Sequence, residues 1–223
     1  MAHPLLFDFM SDLVERIELP EPVVEFGSMQ VEDGQPNDLR PLFEGRPFIG
    51  TDFREGPGVD RVEDLRRLTF TDGEIGTALC LDTLEHCADP LTACREIHRV
   101  LGPGGVCVIT SVMLMPIHGY PSDYWRFTPE GLRVLLADFD DVDVAGMGDP
   151  TVPYWVFGAG AKGRALGVSL ADLPAIAGPQ RDFDRAEGKV KIGPFRYSLK
   201  ELGRELKTEL PRVLRERAGR LRR

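Results

Sequence analysis

Short, nearly continuous apolar runs alternate along this chain with stretches whose apolar residues recur at helical spacing. Residues 22–27 (PVVEFG), 46–53 (RPFIGTDF), 59–65 (VDRVEDL), 74–82 (EIGTALCLD) and 105–112 (GVCVITSV) read as five successive strands. Residues 88–101 set Leu91, Ala93, Cys94, Ile97, Val100 and Leu101 at helical spacing. Gly102-Pro103-Gly104-Gly105 then stops that helix, because glycine accepts positive φ and proline cannot continue a helix. Thr128-Pro129-Glu130 is a helix start, with Thr128 as N-cap and Pro129 at the first helical position, and this helix is expected to reach about Phe139. Residues 141–145 and 152–157 read as two further strands, a closing antiparallel pair. Buried strands separated by helices predict a Rossmann-like, doubly wound α/β fold: a mostly parallel seven-stranded sheet with helices on both faces.

The ends of the chain read differently. Residues 1–20 form an expected N-terminal amphipathic helix, and residues 21–163 the main domain. Residues 158–197 are rich in glycine, proline and charge without a clean period, and read as loops and short helices. From Ser198 onward Leu199, Leu202, Leu206, Leu210, Val213, Leu214 and Leu221 recur at helical spacing. Residues 164–223 are therefore expected to be a loop-rich extension ending in a basic amphipathic helix.

Composition narrows the class. The 223 residues are 42% hydrophobic and 28% charged, with a mean hydropathy of −0.17, as in ordinary soluble proteins. The first twenty residues lack a basic leading region and a small-residue cleavage site, and no run approaches the roughly 20 apolar residues that span a bilayer. A cytoplasmic location is expected. The four cysteines (Cys80, Cys87, Cys94, Cys107) include no C-x-x-C pair, so reduced structural thiols are expected and no metal site. The net charge of −9 is unevenly spread: residues 189–223 hold twelve Lys/Arg against four acids, a tail of +8 on a body of −17. An acidic body argues against nucleic-acid binding through the main domain. The tail is compatible with a helix docked on the acidic body, peripheral contact with an anionic membrane surface, or nucleic-acid contact.

Open α/β sheets bind ligands beyond the carboxyl ends of their strands. Four of the five strand ends here carry acids: Glu25 with Gly27 and Ser28 after the first, Asp52 after the second, Asp64-Leu65 after the third, and Leu81-Asp82 with Glu85-His86 after the fourth. A chain that merely packed a sheet has little reason to collect acids there, whereas a site for a nucleoside-bearing cation has one.

VVEFGS, IGTDF, VEDLRRLTFTDGEIGTALCLDTLEH and REIHRVLGPGGVCVIT, in that order and spacing, resemble the successive motifs of class I S-adenosylmethionine-dependent methyltransferases, nearest the methyltransferase type 11 group, over about residues 20–160. The resemblance implies S-adenosylmethionine as cofactor. It assigns Gly27 to the turn that approaches the methionine part, and Glu25 to orienting that turn and the amino group. Asp52 matches the acceptor of the ribose hydroxyls, and Asp64 the acceptor of the adenine amino group with Leu65 beside it. Leu81 and Asp82 match the residues flanking adenine and sulfonium. The sequence departs from the family pattern in the glycine loop: after Gly27 come Ser28-Met29-Gln30 and a long stretch holding Gly34 and Pro36. A different backbone path is expected, with Ser28 and Gln30 as polar contacts. The absence of a G-x-G-x-x-G turn also argues against a nicotinamide-dependent dehydrogenase.

For proton removal from an acceptor, His86 is the first candidate, since imidazole titrates near neutrality, followed by Asp82 and Glu85; His86 is equally compatible with a helix-start residue that moves no proton. Residues 117–127 (IHGYPSDYWRF) gather Tyr120, Tyr124, Trp125 and Arg126 before the Thr128 cap. They suit a lid or an acceptor pocket for a small molecule or glycan precursor, or an aromatic cluster packing a loop on the core. The second functional reading is a degenerate domain of this fold serving as a non-enzymatic partner-binding or regulatory subunit.

Overall fold

A computed structural model describes residues 4–30, 38–118, 122–184, 189–192 and 195–198. The chain forms two compact units, residues 1–180 and 181–223. In chain order the first contains α1 (Pro4–Val14), β1 (Val23–Phe26), β2 (Phe48–Asp52), β3 (Arg61–Val62), β4 (Ile75–Leu81), α2 (Pro90–Val100), β5 (Leu101–Val112), α3 (Pro129–Leu135), β6 (Asp141–Asp149) and β7 (Val152–Ala161). Helix α4 (Pro174–Asp184) follows. The second unit holds a two-stranded antiparallel ribbon, β8 (Lys189–Ile192) with β9 (Phe195–Ser198).

The seven strands lie in the order β3-β2-β1-β4-β5-β7-β6, parallel through β5, with β7 antiparallel to β5 and to β6. The mostly parallel sheet with a closing antiparallel pair expected from the sequence is present. Chain order reverses between β1 and β4, which are neighbours in the sheet, so a crevice opens beyond their carboxyl ends.

The period of two explains the burial. Val23 faces one side with Leu79, Val106, Val108 and Phe157, covered by Phe9, Met10 and Leu13 of α1. Val24 and Phe26 face the other with Ala78, Cys80, Cys107 and Ile109, covered by α2 and α3. Phe9 and Phe157 meet with ring centroids 4.8 Å apart. Each fully buried side chain of this size contributes about 1.5–3 kcal/mol of transfer free energy. All four cysteines are free thiols, three of them buried in the second face.

Helix ends follow local chemistry. Asp89 caps α2, its carboxylate accepting from Thr92 N–H at 3.1 Å, with Pro90 at the first position. Thr128 caps α3 as expected, accepting from Gly131 N–H at 2.9 Å. That helix ends at Leu135, short of the expected Phe139, with Leu136 and Phe139 still buried.

Two expectations need correction. Residues 158–161 continue β7, since Gly158 and Gly160 let α3's Leu132 and the Phe139 ring pack directly on the strand. Within the stretch read as loops and short helices, residues 189–192 and 195–198 pair as strands. The expected C-terminal helix lies, beyond Ser198, outside the described residues. Among the described residues no helix is long and apolar enough to cross a membrane.

Candidate active site

Strand β1 ends at Phe26, and Gly27 turns the chain at φ 83°, a left-handed conformation natural to glycine. Its N–H donates to Thr51 O at 2.8 Å. A Cβ here would sit 2.2 Å from Thr83 Oγ1, so the tip of β1 packs directly on the loop after β4. The Thr83 hydroxyl lies 2.8 Å from Leu81 O and 3.3 Å from Phe26 O, holding that rotamer.

Beyond these tips lies a crevice of about 760 Å³, within the usual range for small-molecule sites of roughly 300–1,000 Å³. Gly27, Asp52, Asp64, Leu65, Leu81, Asp82 and His86, all singled out in the sequence, line it together. Tyr124 lines it from the loop before α3.

The acids differ in environment. The Asp52 side chain is only 10% exposed; it accepts from Arg54 N–H at 3.1 Å, and burial pushes its carboxyl upward despite the Arg54 charge. Asp82 adopts φ 44°, a left-handed conformation that aspartate tolerates better than most residues. Its Oδ1 accepts from Thr110 Oγ1 at 2.7 Å and its Oδ2 from Trp155 Nε1 at 3.3 Å. Burial raises its carboxyl against these donors. Glu85 has no exposure and is pushed up to about 8, by burial first and by the Asp82 charge second. Its Oε2 accepts from Ser111 Oγ at 2.8 Å. Asp64 is the exception: half-exposed, it is gripped by Arg66 through Nε at 3.0 Å and NH2 at 2.7 Å, which holds its carboxyl low. Three desolvated acids around one crevice favour a ligand that brings positive charge and hydroxyl donors.

Several expected contacts lie elsewhere. Ser28 is buried, and its hydroxyl is within hydrogen-bond distance of Gly58 O at 2.9 Å and Thr51 O at 3.2 Å, turned inward instead of lining the crevice. Gln30 N–H donates to Pro57 O at 2.9 Å, and its side chain lies against Gly58. The loop after β1 is thus tied to residues 56–58, and Met29 is the residue it adds to the crevice. Trp125 and Arg126 do not line it either. The Trp125 indole donates to Cys87 O at 2.9 Å. Arg126 is spent on Asp123, at 2.5 and 2.6 Å, and on the carbonyls of Met115 and Pro116. Both hold the loop's shape. Tyr120 lies outside the described residues.

Glu25 is also absent from the crevice lining. Period two puts it on the α1 side of the sheet, and burial raises its carboxyl from the usual 4.5 to about 7, partly opposed by Arg40. The folded chain therefore holds this proton where the unfolded chain has lost it, so Glu25 makes stability fall as pH rises from about 4.5 to about 7. Urea unfolding at pH 5 and pH 8 is expected to show the Glu25→Gln variant losing less stability across that interval than wild type, by roughly 1–3 kcal/mol. Equal losses would show that Glu25 ionises normally.

The sequence missed Trp155, which β7 delivers to the crevice, because only the antiparallel register with β5 (Val112 opposite Trp155) brings it beside Asp82. His118, from the same aromatic-rich stretch, also lines the crevice, and its ring meets His86 edge-on, centroids 5.1 Å apart. The His86 Nδ1 lies 2.8 Å from Ser122 O; a carbonyl only accepts, so Nδ1 is the donor of this pair.

Comparison with known proteins agrees with this geometry. A family profile described as a methyltransferase domain matches residues 50–109, which run from β2 through the crevice acids into β5. A SAM-dependent methyltransferase from Archaeoglobus fulgidus matches with a TM-score of 0.55 at 14% identity, covering 71% of this chain and 93% of that one. A SAM-dependent methyltransferase from Thermotoga maritima, described as a possible histamine N-methyltransferase, matches with a TM-score of 0.50 at 23% identity, covering 71% and 91%. The 4+2 cyclase SpnF matches with a TM-score of 0.51 at 18% identity, covering 70% and 80%. No curated protein sequence gives a significant match. The chain has the Rossmann-like fold of the class I S-adenosylmethionine-dependent methyltransferases, as its motifs indicated.

Proposed function

We propose that the crevice binds S-adenosylmethionine and that the chain transfers its methyl group to a small-molecule or glycan-type acceptor. One observation carries this reading: acids from the ends of β2 and β4 converge, desolvated, on a single crevice at the reversal of strand order. Asp52 would take the ribose hydroxyls. Asp64, already paired with Arg66, would offer the adenine amino group only a remaining lone pair. Leu65 and Leu81 supply apolar walls for the base.

Methyl transfer from a sulfonium is an in-line displacement on carbon by a cofactor that is already activated, so alignment is a large part of the help a protein gives. Fixed walls at Trp155, Leu81 and Asp82 suit that task. Where the acceptor is a hydroxyl or amine, Asp82 and Nε2 of His86 are placed to receive its proton. Tyr124, exposed at the mouth, is the acceptor contact that this reading retains. The reading places the protein in the cytoplasm, where free thiols are ordinary. Peripheral membrane contact is assigned to the basic tail.

Fold does not fix reaction, and a cyclase shares this one. The test is calorimetric titration of S-adenosylhomocysteine into the full chain. One saturable site per chain is expected. No heat at millimolar ligand would favour the reading as a non-enzymatic partner-binding chain.

A further inference from the structure

Three side chains next to one another line the crevice with atoms that can ligate a metal ion. Glu85, His86 and His118 each present a ligand atom, and the three atoms lie within 4.8 Å of one another. Glu85 is fully buried; Ser111 satisfies Oε2, while Oε1 has no hydrogen-bond partner among the described residues. A buried polar oxygen without a partner is costly, and a cation or a donor that reaches it relieves that cost.

Both histidines are held at Nδ1 by fixed oxygens. His86 spends its Nδ1 proton on Ser122 O at 2.8 Å. His118 Nδ1 lies 3.2 Å from Pro116 O and 3.3 Å from Asp123 Oδ2, and the His118 backbone N–H donates to Asp123 Oδ2 at 2.8 Å. With Nδ1 of each ring engaged by a fixed oxygen, Nε2 is the ring atom available for coordination. A second hydrogen bond that sets tautomer and ring orientation, from a carbonyl or a carboxylate, is the usual support of a metal-ligating histidine.

We propose that Glu85, His86 and His118 form a binding site for a divalent first-row transition metal ion. Ligand atoms 2.0–2.2 Å from a metal stand roughly 3–3.5 Å apart in tetrahedral or octahedral geometry, so closure asks for about an ångström of side-chain adjustment. Two imidazoles and a carboxylate suit borderline cations such as Zn²⁺, Fe²⁺ or Co²⁺ and fit magnesium or calcium poorly. Three protein ligands leave coordination positions open, as in sites that act on a bound ligand instead of serving as structural staples. The cation takes the lone pair of His86, so proton acceptance from an acceptor then falls to Asp82. His118 lies 32 residues after His86 in the chain, and the pairing of Asp123 with Arg126 fixes the stretch that brings the two rings together. The assignment rests on these side chains and stands or falls separately from methyl transfer.

The test is titration of Co²⁺ alone into chelator-treated full-length protein, read by calorimetry and by ligand-field absorption. It uses a His3→Ala background, since the amino terminus and His3 can chelate on their own. One ion per chain is expected, and His86→Ala and His118→Ala are each expected to weaken binding at least tenfold. Because both rings are only partly buried, the two variants report independently of folding of the core. Cys87→Ser, which changes the one thiol lining the crevice, is expected to leave affinity unchanged. No saturable site at millimolar Co²⁺, a smaller loss in either histidine variant, or a tenfold loss in Cys87→Ser would overturn the assignment.

Discussion

Replacing Asp52 by alanine is expected to weaken binding of S-adenosylhomocysteine ten- to a hundredfold in the calorimetric titration. The magnitude follows from charge-assisted hydrogen bonds of about 1.5–3 kcal/mol. Asp52 suits the task because its nearly buried carboxylate lines the crevice; it accepts from Arg54 N–H at 3.1 Å, while Arg54 Nε stays 3.9 Å away. It is the last residue of β2, paired with Val62 of β3. Burial makes the unliganded carboxylate costly, so two hydroxyl donors recover free energy that water does not fully supply. Asp52→Asn keeps one acceptor oxygen and is expected to fall between wild type and alanine. Unchanged affinity in Asp52→Ala would place the ribose somewhere else.

The second large effect is expected at Gly27. Alanine there meets two separate penalties: a left-handed φ of 83°, worth about 1–2 kcal/mol for a residue with a Cβ, and a 2.2 Å approach to Thr83 Oγ1. Thr83 cannot swing away freely, since its hydroxyl is held between Leu81 O and Phe26 O. Gly27→Ala is therefore expected to cost roughly 2–4 kcal/mol in chemical denaturation and to reduce cofactor affinity with it. The Gly27→Ala/Thr83→Ala double variant separates the penalties. It removes the hydroxyl and methyl and leaves a Cβ contact of 3.1 Å, so part of the loss is expected to return while the backbone strain remains. A Gly27→Ala variant as stable as wild type would mean that the tips of β1 and β4 are not locked together.

Much of the sheet was legible because burial on both faces writes itself as apolar runs. Residues 74–82 and 105–112 stand out for that reason, and Thr128-Pro129 marks a cap by chemistry that is local. Acids at strand ends were legible because a parallel α/β sheet puts all such ends on one edge. Side-chain direction was not. Ser28 follows Gly27 by one residue, yet the positive φ before it turns its hydroxyl into the β2–β3 loop. Arg126 and Trp125 read as acceptor contacts by type, but their partners, Asp123 and Cys87 O, are set by how the loop folds back. Trp155 and His118 reach the crevice only through long-range register and loop closure, which no local period encodes. Glycines at 158 and 160 read as loop residues, although their lack of a side chain is what lets α3 and the Phe139 ring press onto β7.

A nucleoside across the ends of β1, β2 and β4 would be visible in a crystal structure of the full chain grown with S-adenosylhomocysteine. The expected density has both ribose hydroxyls on the Asp52 carboxylate, adenine between Leu65 and Leu81, and the sulfur toward Asp82 and Trp155. Nucleoside density at another edge of the sheet, or a crevice left empty at saturating ligand, would contradict it.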